Sequence, residues 1–160
     1  MTPRKYPRKI SGNDIMIKVN IALMPLFRLS WALFSLSDKI FIAGSSGMVG
    51  SSIKRAFIKS GYGLSKNGGK LLIPSRKQLN LSNYIVLKDW FEKNKPDVVI
   101  IAAAKVGGIF ANSNYPLDFI LENLKIQTNI IELSYLSKVK RLLFLGSSCI
   151  YPKYSKQPIK

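Results

Sequence analysis

From Asp38 onward, apolar and polar positions alternate on two length scales. Lys39–Gly44 (KIFIAG), Lys70–Pro74 (KLLIP), Asp97–Ala104 (DVVIIAAA) and Arg141–Gly146 (RLLFLG) are compact apolar runs, and each predicts a strand buried on both faces. Helical patterns lie between them. Met48–Ser60 is one, ended by Gly61. Asn83–Asn94 is the next, with Ile85, Leu87, Trp90 and Phe91 toward the core and Pro96 just past its end. Tyr115–Lys138 reads as a single long helix with Pro116 suited to its first turn. Gly61–Lys70 (GYGLSKNGGK) reads as a flexible loop. Strands alternating with helices predict an α/β fold: part of a doubly wound parallel sheet of about four strands, with ligands bound beyond the strands' carboxyl ends. The fold type leads one to expect the strand order 3-2-1-4.

Residues 1–37 do not share this pattern. They begin basic and turn apolar from Ile15 to Leu36, with Lys18, Asn20, Pro25 and Arg28 interrupting the run. A membrane span needs about 20 predominantly apolar residues, and a secretory signal needs an unbroken apolar core and a small-residue cleavage site. The interruptions fit neither, so no membrane span is expected. Residues 1–37 are read as an atypical extension that packs loosely or not at all on a domain over 38–160, with a surface-lying or targeting segment as the alternative.

Composition adds two constraints. The formal charge is +17 in 160 residues, yet the lysines are scattered and no zinc, helix-turn-helix or RNA-binding signature accompanies them. The charge is read mainly as compositional bias, with no specific nucleic-acid partner, and it would also draw a nucleotide. Cys149 is the single cysteine, which excludes an internal disulfide and favours a reducing, cytoplasmic setting.

The first strand leads into Gly44-Ser45-Ser46-Gly47-Met48-Val49-Gly50. In a strand–turn–helix context, Gly44 can make the tight turn, Gly47 can let a pyrophosphate approach, and Gly50 can let the helix lie close to the sheet. These seven residues are the candidate dinucleotide cradle. An acid at the end of the second strand would bind the ribose hydroxyls of NAD. The chain has Pro74-Ser75-Arg76-Lys77 there instead, which favours NADP with Arg76 on its extra phosphate.

Three further stretches carry a resemblance. AAAKVGGI (Ala102–Ile109) is followed by Asn112, Tyr115, Pro116, Asp118, Phe119, Ile120 and Asn123 in an N-x-x-YP-x-DFI-x-x-N pattern. LLFLGSSCIYPK runs from Leu142 to Lys153, and KQP follows at Lys156–Pro158. From about Lys39 to Lys160 the chain resembles the GDP-L-fucose synthase family of extended short-chain dehydrogenases/reductases, which have a Rossmann-type domain. The resemblance implies NADPH-dependent 3,5-epimerisation and 4-reduction of GDP-4-keto-6-deoxy-D-mannose. It implies that Ser147 hydrogen-bonds the C4 oxygen, that Cys149 is the epimerisation acid/base, and that Leu145, Gly146 and Ser148 line the nicotinamide side. It further implies a GDP-sugar partner with an incomplete pocket, and a homodimer.

The chain departs from that family in two ways. Ser45, Ser46 and Pro74 stand where many members carry basic residues. The family's Tyr-x-x-x-Lys is expected some thirty residues after the serine, whereas this sequence runs thirteen residues past Ser147 and contains no histidine. Tyr62…Lys66 and Tyr84…Lys88 have the spacing but precede the serine, so both are read as chance. The expectation is an N-terminal part of such an enzyme, inactive alone, with the C-terminal half and substrate domain supplied by a complementing chain or missing. Two rival readings stay open: a non-catalytic basic module that binds a nucleotide or nucleic acid, and a related sugar-nucleotide epimerase/reductase.

Overall fold

The computed structural model describes residues 34–146 and 154–156. The strands are β1 (Lys39–Ala43), β2 (Lys70–Leu72), β3 (Val98–Ile101) and β4 (Arg141–Phe144). The helices are α1 (Met48–Lys59), α2 (Tyr84–Asn94), α3 (Ile109–Asn114) and α4 (Pro116–Leu136). All three strand pairings are parallel. The strands are short because each leaves the ladder once its neighbour ends: after Ala102 N–H donates to Ala43 O, the chain departs toward the site.

The order is β2-β1-β3-β4, not the expected 3-2-1-4. The reason lies just past β2, where another strand at that edge would have to form. Ser75 N–H and Oγ–H both donate to Gln78 Oε1, and Ser82 N–H and Oγ–H both donate to Asn80 Oδ1. Such local bonds satisfy backbone groups that a ladder would otherwise need. The segment therefore turns, and the third strand goes to the far side of β1. The crevice where the winding reverses thus lies between the carboxyl ends of β1 and β3.

Alternation along the strands splits the core in two. Phe41, Ala43, Val99 and Ile101 face α2 and α4, packing on Leu87, Phe91, Ile126, Ile130 and Leu133. Ile40, Ile42, Val98 and Ile100 face the other way, toward Phe57 of α1 and Tyr62. Each fully buried side chain of this size contributes about 1.5–3 kcal/mol. The body begins before Asp38: Phe34 stacks edge-on against Phe57 and Tyr62, at 5.7 and 6.4 Å. Residues 1–33 lie outside the described residues.

Boundaries shift for local reasons. Asn83 caps α2, its Oδ1 accepting from Val86 N–H, instead of joining the helix. The long helix expected over Tyr115–Lys138 is present as α4, with Pro116 in its first turn, and the short α3 before it is an addition; Tyr115 separates the two, since Pro116 has no N–H with which to continue α3. The Gly61–Lys70 stretch is not a featureless loop. It holds a 3₁₀ turn at Ser65–Asn67, and Asn67 Nδ2 donates back to Gly61 O.

At the amino ends of the strands, Lys140 Nζ lies 2.9 Å from Asp97 Oδ1 and 3.3 Å from Asp38 Oδ1. Asp38 is almost fully buried and also accepts from Ser35 N–H, and Asp97 accepts from Lys39 N–H. Burial pushes the Asp97 pKa up, but the Lys39 N–H and the Lys140 ammonium outweigh it and hold the pKa below the ordinary value. The Lys140 pKa is raised by its bonds to Asp97 and Asp38 against a smaller desolvation cost. A depressed carboxylate contributes stability that is present above its unfolded pKa and lost as pH falls through the folded value. A raised ammonium contributes stability that is present below its unfolded pKa and lost as pH rises through the folded value. Lys140 is half-exposed, so Lys140→Met is expected to cost only about 1 kcal/mol at pH 7, mostly from leaving buried Asp38 short of a partner. Urea unfolding at pH 7 and pH 3 checks this: the variant should lose less stability between the two than the parent.

Candidate functional site

The glycine turn sits at the carboxyl end of β1, and its three glycines meet different demands. Gly44 has φ +86, and a Cβ there would fall 2.7 Å from the backbone of Ala103 on the neighbouring connection. At Gly50 a Cβ would overlap the carbonyl oxygen of Gly44, so the first turn of α1 is pressed directly onto the turn. Gly47 is different: a Cβ there meets only Gly44 O, at 3.4 Å, which is ordinary contact. Protein packing does not require glycine at position 47, and its bare backbone borders the space in front of it. No side chain caps α1 and no acid occupies its first turn, leaving amide N–H groups and the positive end of the helix facing that space.

That space is a cleft of about 210 Å³ between the glycine turn, the end of β2 and the end of β3. Gly44, Ser46 and Gly47 form one wall, Pro74 and Arg76 a second, and Ala102–Lys105 a third, with Leu79–Ser82 and Ile126 completing it. Of the residues expected to hold a dinucleotide, Gly44, Ser46, Gly47 and Arg76 thus meet here. Ser45 and Gly50 are buried beneath the turn. Met48 is 87% exposed and Val49 45%, and neither side chain lines the cleft, so their contribution is restricted to the helix backbone. Leu145 N–H donates to Ile101 O, which carries the β4 ladder one residue further. Leu145 and Gly146 therefore lie at the same edge of the sheet as Gly44, but outside the cleft lining. Ser147, Ser148 and Cys149 lie outside the described residues.

Arg76 is not simply a loop cation. Its Nη2 lies 2.8 Å from Glu122 Oε1 on α4, and Glu122 Oε2 lies 3.1 Å from Lys105 Nζ. The AAAKVGGI segment is fixed from α4 as well. Asn123 Oδ1 accepts from Lys105 N–H at 2.7 Å and its Nδ2 donates to Lys105 O at 2.9 Å, a two-bond clamp on the backbone of one residue. Phe119 packs where a Cβ on Gly107 would stand, and Asn112 Nδ2 donates to the carbonyls of Gly107 and Gly108. Sequence reasoning missed Asn80, Ser82, Lys105 and Glu122 as site residues. The polar–apolar alternation of Gln78–Asn83 was the available signal for the first two.

Both tyrosine–lysine spacings prove structural. Tyr62 is buried, its OH donates to Phe34 O, and burial followed by the nearby Asp38 charge raises its pKa. Tyr84 OH donates to Glu132 Oε1 at 3.4 Å on the outer side of α4. Among the described residues no cluster of three metal-ligating side chains occurs, and no helix is long and apolar enough to cross a membrane.

Residues 40–160 match the model of the NAD dependent epimerase/dehydratase family. The chain is 50% identical over 123 residues to GDP-L-fucose synthase 1 of Arabidopsis thaliana, covering 77% of this chain and 36% of that protein. It is 47% identical over 122 residues to GDP-L-fucose synthase of Escherichia coli K12, covering 76% and 36%. Among solved structures, a GDP-D-glycero-L-gluco-heptose synthase from Campylobacter jejuni, determined in the presence of NADPH, superposes with a TM-score of 0.72 at 35% identity. It covers 79% of this chain and 35% of that one. The chain thus spans about a third of the length of the relatives it matches.

Proposed function

The chain belongs to the NAD dependent epimerase/dehydratase family, and on that premise we propose that it forms the NADP-binding part of a GDP-sugar epimerase/reductase of the GDP-L-fucose synthase kind. The observation that carries the reading is the bare Gly47 backbone facing a cleft at the β1/β3 crevice. The residues present fit such a cofactor. The uncapped start of α1 suits a pyrophosphate. Pro74, Asn80 and Leu81 offer an apolar slot with polar edges for adenine, and Arg76 with no nearby β2 acid suits a ribose phosphate.

NADPH, when bound, supplies the hydride for reduction of the sugar's C4 ketone. The protein's own contribution is proton handling. Ser147 is proposed to donate a hydrogen bond to the C4 oxygen, stabilising the charge that develops when a proton leaves C3 or C5. Cys149 is proposed to remove and redeliver those protons. Both follow Gly146, which lies at the sheet edge that carries the glycine turn. A complementing half is proposed to supply the Tyr-x-x-x-Lys pair and the sugar-nucleotide domain, in a cytoplasmic assembly. The outer face of α3 and α4 offers it apolar surface, with Ile109 90%, Phe110 79% and Leu117 67% exposed.

The test is a titration of the purified chain with NADPH and NADH, followed by tryptophan fluorescence and repeated at two salt concentrations. NADPH is expected to bind at least several-fold more tightly than NADH, with no turnover of the ketosugar by the chain alone. Failure to bind either nucleotide, with tight salt-sensitive binding of an RNA instead, would replace this reading with the basic-module alternative.

A further inference from the structure

Adjoining the dinucleotide cleft lies a second recess of about 430 Å³, which shares Arg76, Asn80, Ser82, Lys105 and Glu122 with it and adds Asp118, Leu121 and Lys125. Resting on the nucleotide reading above, we propose that this recess receives the phosphate monoester of the adenosine ribose, and that Glu122 is a built-in competitor for that phosphate which limits the site's preference for the phosphorylated dinucleotide.

The geometry supports this step by step. Arg76, Lys105 and Lys125 bring three cations to the recess against two carboxylates, Asp118 and Glu122, an excess of positive charge that suits a phosphate. Two of the three are already engaged by one carboxylate, Arg76 at 2.8 Å and Lys105 at 3.1 Å, through the two different oxygens of Glu122. Glu122 therefore stands where two phosphate oxygens would make the same contacts. Lys105 is the less mobile of the two, because Asn123 holds its backbone N–H and C=O and its ammonium lies 5.4 Å from the Phe119 ring centroid. Arg76 can move, being 85% exposed on the connection after β2. An arriving phosphate must thus draw Arg76 away from Glu122 and tolerate a carboxylate beside it. Both effects weaken binding of the phosphorylated nucleotide and leave the unphosphorylated one untouched.

The experiment measures dissociation constants of NADPH and NADH for the full chain, for Glu122→Gln, for Arg76→Ala and for the double variant. Glu122→Gln is expected to tighten NADPH about tenfold and to leave NADH within about twofold, since one carboxylate's repulsion and competition are removed. In the Arg76→Ala background the gain should shrink to about threefold or less, because only Lys105 is then released. An unchanged NADPH/NADH ratio in Glu122→Gln, or a weaker NADPH affinity, overturns the proposal while the nucleotide site itself stands. A parent chain that binds neither nucleotide overturns both. Should the Glu122 variants fail to fold, the parent alone still decides. It should prefer adenosine 2′,5′-bisphosphate to adenosine 5′-phosphate by about tenfold or less, and a preference near a thousandfold would show that Glu122 does not compete.

Discussion

Gly44→Ala is expected to lower the unfolding free energy by about 3 kcal/mol or more and to abolish measurable NADPH binding. Two independent penalties meet at this residue. Its φ of +86 lies in the region that side chains disfavour, costing about 1–2 kcal/mol. Its new Cβ would also fall 2.7 Å from Ala103 Cα and N, so backbone on the β3 side must move, at a further 1–3 kcal/mol or so. That shift opens the wall shared by the glycine turn and Ala102–Lys105. Gly47→Ala is the control: its Cβ touches only Gly44 O at ordinary distance, so stability should hold within about 0.5 kcal/mol while NADPH affinity falls. Urea unfolding and fluorescence titration of both variants separate the effects. A Gly44→Ala chain as stable as the parent would contradict the packing, and a Gly47→Ala chain with parental affinity would contradict the cradle.

Asn123→Ala is expected to cost about 2–3 kcal/mol and to loosen the loop that carries Lys105. One side-chain amide satisfies both polar groups of the Lys105 residue, at 2.7 and 2.9 Å, in a part-buried site. Truncation removes two hydrogen bonds at once and leaves a part-buried donor and acceptor without their partner, each costing on the order of 1 kcal/mol. Asn123→Asp is the informative companion, since it keeps the acceptor for Lys105 N–H but sets a carboxylate oxygen against Lys105 O. Hydrogen exchange should show the Lys105 amide losing protection in both variants, more in alanine than in aspartate. Equal protection in all three proteins would remove the clamp from the argument.

The sheet, α1, α2 and the β1–α1 glycine turn were legible because each is encoded locally. Apolar runs such as Asp97–Ala104 read as strands wherever they occur, and Gly44, Gly47 and Gly50 have roles that a strand–turn–helix context defines. Strand order was not legible, because it depends on what Ser75–Ser82 does with its own hydrogen bonds. Pro116 marks the start of α4, whereas the six residues of α3 are too few for a helical period to show in the sequence. Within the site, Arg76 was found but Glu122 was not. Their separation of 46 residues is closed by the packing of α4 on the sheet, and no spacing rule spans it. The proposed roles of Ser147 and Cys149 came from resemblance alone, since a hydroxyl and a thiol after a strand carry no periodic signal.

The parallel arrangement also governs how the chain can reach this state. Lys39 and Asp97, joined at the start of the β1–β3 pairing, are 58 positions apart. Among the described residues no strand pair closes through a short hairpin, so every ladder joins distant segments, and loop-closure entropy opposes each pairing before contacts reward it. Of the three pairings, the central one, whose carboxyl ends define the crevice, joins the positions farthest apart in the chain and so carries the largest loop-closure cost. Contacts of such long range slow folding, and until this one forms the apolar Val98–Ile101 run lacks its β1 partner.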